Sequence, residues 1–142
     1  MTNEQEKATE LPPLLDQDPA LESLVSVINQ GPAQVGVTLY ASGNIISGML
    51  VGPEVYFKRL SELLRNSGDG GVAMAQWSDF WADATRYEDN DDDDVLPTPA
   101  HIHLLDAKAY TPGLGNAITH KTWRGRLSEI TGWSLGSLST TD

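Results

Sequence analysis

A chain of 142 residues, 39% of them apolar, is long enough for one self-sufficient core and too short for two full catalytic domains. It contains no cysteine, which excludes disulfides, thiolate zinc sites and a cysteine nucleophile and fits a reducing compartment. Nine Lys and Arg against twenty Asp and Glu give a net charge of -11, the wrong sign for a phosphate backbone or an anionic membrane surface.

Residues 1–17 are polar and acidic with two adjacent prolines, Pro12 and Pro13, and read as a flexible arm. They lack the basic start and apolar centre of a secretory signal, and no later stretch approaches about 18 consecutive apolar residues, so a soluble, cytoplasmic protein is expected. A single domain is expected over 18–139. Asp18 offers an N-cap and Pro19 a first helical residue, and Leu21, Leu24, Val25 and Ile28 repeat at helical spacing until Gly31. From Val35 the period becomes two, with Val35, Val37 and Leu39 set against Gly36, Thr38 and Tyr40, which predicts a half-buried strand. Ser42, Gly43 and Asn44 tolerate positive φ, and Ile45 to Val51 is apolar again, so a hairpin follows. Gly48 in its second strand marks a bend or bulge.

Gly52 and Pro53 end the hairpin, and Val55, Tyr56, Leu60, Leu63 and Leu64 predict a second helix up to Gly68. Residues 68–98 read as a partly disordered acidic insertion. Within it Met74, Trp77, Trp81 and Ala84 fit one face of a marginal helix, and Glu88, Asp89 and Asp91 to Asp94 form an acidic run. Without that run the chain holds nine cations against fourteen anions, an ordinary balance. Pro97 and Pro99 favour extended backbone before a strand over Ala100 to Tyr110, with Ile102 and Leu104 on one face. Residues 111–121 read as a loop. Two closing strands are expected, Thr122 to Ile130 and Trp133 to Leu138, joined as a hairpin at Thr131 and Gly132.

The order predicts an α+β, mainly β fold: a small bent five-stranded antiparallel sheet or barrel of Sm or SH3 type, with an N-terminal helix and a helical insertion after the first hairpin. Gly48, Gly125 and Gly136 would mark its bends. The leading helix, glycine-centred hairpin and late Arg124-Gly125 strand are similar to the Sm-like arrangement, which implies a ring binding a small ligand or RNA as an alternative function.

Candidate chemistry is sparse. His101 and His103 leave one face of a strand near Asp106 and could supply two metal ligands, with His120 as a distant third, but a site needs three or four, so polar cross-strand contacts are the expected role. The acidic run fails as an EF-hand loop, since Asp94 stands where the sixth-place glycine belongs and Ala100 where the twelfth-place glutamate does. No G-x-S-x-G, P-loop or G-x-G-x-x-G motif is present, so no enzyme and no cofactor are expected. Trp77, Phe80 and Trp81 are expected either to fold back over the barrel or to form an adhesive patch. Arg124 and Arg126 share a strand face, where pairing with local carboxylates is the expectation and anion binding the alternative.

Three stretches, Asn44 to Phe57 (NIISGMLVGPEVYF), His101 to Tyr110 (HIHLLDAKAY) and Trp123 to Ser139 (WRGRLSEITGWSLGSLS), resemble the gas vesicle accessory protein U family. The resemblance implies a cytoplasmic accessory protein that affects assembly or clustering of gas vesicles, with no cofactor and no reaction. Its partners would be itself, as a homo-oligomer, and gas vesicle shell proteins. Trp77, Phe80, Trp81, Arg124 and Arg126 are the residues then expected to carry interaction.

Overall fold

The computed structural model describes residues 17–88 and 98–138; residues 1–16 of the arm expected at 1–17, the run from Asp89 to Asp94 and Ser139 lie outside the described residues. Helix α1, Pro19–Ile28, starts where the capping chemistry places it: the Asp18 carboxylate accepts from the Ala20 N–H at 2.8 Å. Its second oxygen accepts from Trp133 Nε1 at 2.8 Å, and these bonds, the indole first, hold the Asp18 carboxyl below the usual carboxylate range. Leu21, Val25 and Ile28 form its buried stripe, each contributing roughly 1.5–3 kcal/mol of gross burial.

Strands β1, Val35–Ala41, and β2, Asn44–Val51, make the expected hairpin. Ala41 pairs with Asn44, so Ser42 and Gly43 form a two-residue turn, with φ of 51° and 81° as a type I′ turn requires. Ser42 is the strained member, and Ser42→Asn should raise stability by about 0.5 kcal/mol in a urea titration, because asparagine visits this region more readily. Helix α2, Pro53–Arg65, and helix α3, Gly71–Ala84, follow, then β3, His101–Tyr110, β4, Ile118–Arg126, a single 3₁₀ turn over Leu127–Glu129, and β5, Ile130–Leu135.

All five strands belong to one antiparallel sheet in the order β4-β3-β2-β1-β5. One face, carrying Val37, Leu39, Ile46, Leu50, Ile102 and Leu104, closes the main core against α1. The opposite face presents Val51 and Leu105 to Tyr56 and Phe57 of α2, and Ala82 of α3 completes this second cluster. The register of β2 on β3 shifts between Ser47 and Met49, with Asp106 at φ 52° as the extra residue, so the expected bulge is present but its inserted residue lies on β3. Gly48 faces it: a Cβ there would lie 3.0 Å from both the Leu105 oxygen and Ala107 Cα. Gly125 instead lies beneath the Trp123 ring, and Gly136, at φ 102°, follows the end of β5.

Of the expected sheet or barrel it is the open sheet that forms, with β4 and β5 as its two edges and α1 packed on the main core, while two other expectations change. The last two strands accordingly form no hairpin: Leu127–Glu129 carries the chain away from β4, and β5 pairs with β1, Leu39 against Trp133. His120, expected in a loop, lies in β4 opposite Ala107.

The largest difference is α3. It forms fourteen residues of helix although Gly70, in the left-handed region, gives it no side-chain cap. Its stability comes from packing, through a face other than the one the hydrophobic spacing marks: Gly71, Ala75, Ser78 and Ala82 are buried against α2, while Met74, Trp77, Phe80 and Trp81 are exposed. Small residues let two helix backbones approach closely. Ser78 Oγ donates to the Phe57 carbonyl oxygen at 2.7 Å, Ser61 Oγ donates to the same oxygen at 2.9 Å, and Arg65 pairs with Asp79.

Candidate functional site

Where the outer face of β3 and β4 meets the C-terminal ends of α1 and α3, the surface opens into a cleft of about 200 Å³. Asn29, Phe57, Trp81, Thr85, His101, His103 and Arg124 line it, with Pro53, Pro99 and Ala100 at its edges. His101 and His103 stand on the same side of β3, and antiparallel register sets them opposite Arg126 and Arg124. The sheet thus gathers two imidazoles and two guanidinium groups in a chain of strongly negative net charge.

His103 is 4% exposed, enclosed by Tyr56 and Phe57 with ring centroids at 4.9 and 6.0 Å. Arg124 Nε donates to its Nε2 at 3.1 Å. A guanidinium only donates, so Nε2 holds a lone pair and the imidazole proton sits on Nδ1. Burial, then the charge of Arg124, drives the His103 pKa down to about 3, and the ring stays neutral throughout the physiological range. Burial also lowers His101, reinforced by Arg124 and Arg126. Two buried polar atoms on the cleft residues have no hydrogen-bond partner among the described residues, Nδ1 of His103 and Oδ1 of Asn29. Such atoms cost about 1–3 kcal/mol each until something meets them.

Trp77 and Phe80 lie outside the cleft on the exposed side of α3, 51% and 64% exposed. Trp81 joins the two regions: its ring stacks on Phe57 at 6.2 Å and meets Phe80 edge-on at 5.5 Å. The aromatic group therefore does not fold back over the sheet, apart from the contact of Trp81 with Phe57. Arg124 and Arg126 have no carboxylate within ion-pair distance among the described residues, and the carboxylates of the run from Asp89 to Asp94 lie outside them. Among the described residues no group of three or more His, Asp or Glu is placed to hold a metal ion, and no helix is long and apolar enough to cross a membrane.

Sequence reading missed Asn29, Phe57 and Thr85 as cleft residues. Asn29 is the C-cap of α1 and Thr85 that of α3, positions that carry no chemical motif. No curated protein and no solved structure matches the chain. A protein-family model described as gas vesicle protein GvpU-like matches residues 18–138. The chain belongs to the GvpU-like family. The match spans the whole described fold from the α1 cap to the strand after β4, including α3 and the cleft. The described residues of this GvpU-like chain present an aromatic helix face and a cleft lined by His101, His103 and Arg124.

Proposed function

We propose that this GvpU-like protein is a non-enzymatic, cytoplasmic accessory protein that affects gas vesicle assembly or clustering by associating with a second copy of itself through the outer face of α3. The observation that carries this reading is the exposure of Met74, Trp77, Phe80 and Trp81 together on one helix, a contiguous apolar face of the kind that marks an association surface. A second copy is the fitting occupant because a two-fold contact sets the same surface of each copy against the other, so the apolar face of α3 covers itself. The net charge of -11 opposes that contact at long range and salt relieves it, the Debye length falling from about 30 Å at 0.01 M to about 8 Å at 0.15 M.

Light scattering after size exclusion at low and high salt tests the reading. Association should grow with salt, and Trp77→Ser with Phe80→Ser should weaken it at least tenfold while the circular dichroism of the fold is retained. Replacing residues 88–94 with a Gly/Ser linker should reduce the salt dependence. A strict monomer at every salt that still sediments with purified gas vesicles would transfer the surface to shell binding. A closed ring of fixed size, insensitive to salt and to both aromatic substitutions, would favour the Sm-like alternative instead.

A further inference from the structure

We propose that the cleft between β3, β4 and the ends of α1 and α3 binds a small aromatic carboxylate that also carries a hydrogen-bond donor. The site is distinct from the association face of α3 except for Trp81, and does not depend on what that face binds. Four features of the cleft define this chemistry. Arg124 is held by its Nε bond to His103, leaving the two terminal nitrogens of the guanidinium, a fork that matches a carboxylate, without a carboxylate partner among the described residues. Among the described residues the Nδ1 donor of His103, a residue more than nine-tenths buried, has no acceptor, and the amide oxygen of Asn29 has no donor. Phe57 and Trp81, stacked at 6.2 Å, supply the apolar wall for a planar body.

The cleft is small, about 200 Å³, which suits a single ring with its substituents. Carboxylate on Arg124 and ring against Trp81 use the accessible chemistry of the cleft, and a donor meets Asn29 Oδ1 and an acceptor meets His103 Nδ1 only as the side chains covering these buried atoms move aside. An unbranched aliphatic acid would meet the arginine but leave the aromatic wall empty, and a neutral amide would lose the charge-assisted pair.

The test uses the full chain and three probes, 4-hydroxybenzoate, benzoate and benzamide, followed by ¹H–¹⁵N NMR with the Trp indole and Asn side-chain resonances assigned. 4-Hydroxybenzoate should saturate with a dissociation constant of about 1 mM or tighter and shift the Trp81 indole and Asn29 amide signals. Benzoate should bind more weakly and benzamide at least tenfold more weakly still. Arg124→Gln should reduce binding of 4-hydroxybenzoate at least tenfold, and Arg124→Lys, which keeps the charge but loses the fork, should fall between the two. Wild-type affinity in either arginine variant, or shifts confined to Trp77 and the outer face of α3, would overturn the proposal. Loss of binding in Arg124→Gln with full binding in Trp81→Ala would overturn the aromatic part and leave a bare anion site. Binding that emerges only when residues 88–94 are replaced by a Gly/Ser linker would show that the chain's own carboxylates occupy the cleft, and would overturn it as well.

Discussion

Gly71→Ala should cost about 2–3 kcal/mol of stability, more than any single change on the exposed face of α3. Gly71 opens α3 at its contact with the end of α2, and a Cβ there would overlap the Leu64 carbonyl oxygen, a backbone atom that no side-chain rotation can move aside. The residue is buried and its backbone is ordinary helix, so the methyl group gains the small advantage of alanine in a helix and loses far more to the forced separation of two packed backbones. Ser78 and Ala75 would be pulled from α2 as the helices part, weakening the Ser78 bond to the Phe57 carbonyl, and Trp81 would lose its stacking on Phe57. Guanidinium denaturation monitored by circular dichroism gives the measurement, with Val72→Ala, at the exposed neighbouring position, as the control that should change stability by less than about 0.5 kcal/mol. Equal stability of the two variants would mean that α2 and α3 are not held together by this close approach.

The second large effect is acid sensitivity carried by His103. Its pKa is about 3 in the fold against an ordinary value near 6.5 in the unfolded chain, so between these values the unfolded chain binds the extra proton. Stability from this residue is complete above about pH 6.5 and is lost as pH falls toward 3, amounting to roughly 2–3 kcal/mol by pH 4.5. The groups around it act in the same direction: Arg124 donates to Nε2 and repels an imidazolium, His101 on the same strand adds charge once protonated, and Tyr56 and Phe57 from α2 exclude water. In His103→Gln the amide oxygen can still accept from Arg124 but cannot titrate, so the difference in stability between wild type and variant should shrink steadily from pH 7 to pH 4.5. Denaturation midpoints at four pH values across that range measure it. Parallel curves for the two proteins would show that His103 is not buried neutral in the folded protein.

Local chemistry was sufficient for much of this fold. The α1 cap at Asp18 and Pro19, the hairpin turn at Ser42-Gly43 and the period-two strands β1 and β2 depend on interactions within a few residues and are present where the sequence places them, while α2 ends at Arg65, short of the expected stop at Gly68. The pairing of the last strand was not legible. A hairpin between β4 and β5 and a β5 that crosses to β1 present the same alternating residues, and only the competition for the free edge of β1 separates them. The face of α3 was misread for a related reason. Periodicity weighs side chains by hydrophobicity, whereas contact between two helices here is decided by smallness, so Gly71, Ala75, Ser78 and Ala82 go inside and the tryptophans stay out.

The cleft shows the same division. The alternation of His101 and His103 opposite Arg124 and Arg126 is written in β3 and β4, and their chemical type is plain from sequence. That His103 is buried, neutral and bonded to Arg124, and that Asn29 and Trp81 arrive beside it from 74 and 22 residues away, is a property of α2 and α3 packing on one sheet face and the end of α1 reaching it from the other. By itself the sequence determined the leading helix, the first hairpin, the second helix, the acidic balance and the family resemblance, because these rest on short-range periodicity, side-chain type and matched stretches. Tertiary structure alone decided which helix face is left to associate, which polar atoms are left unpaired and that the sheet stays open, because each depends on which surface reaches another first and removes its water.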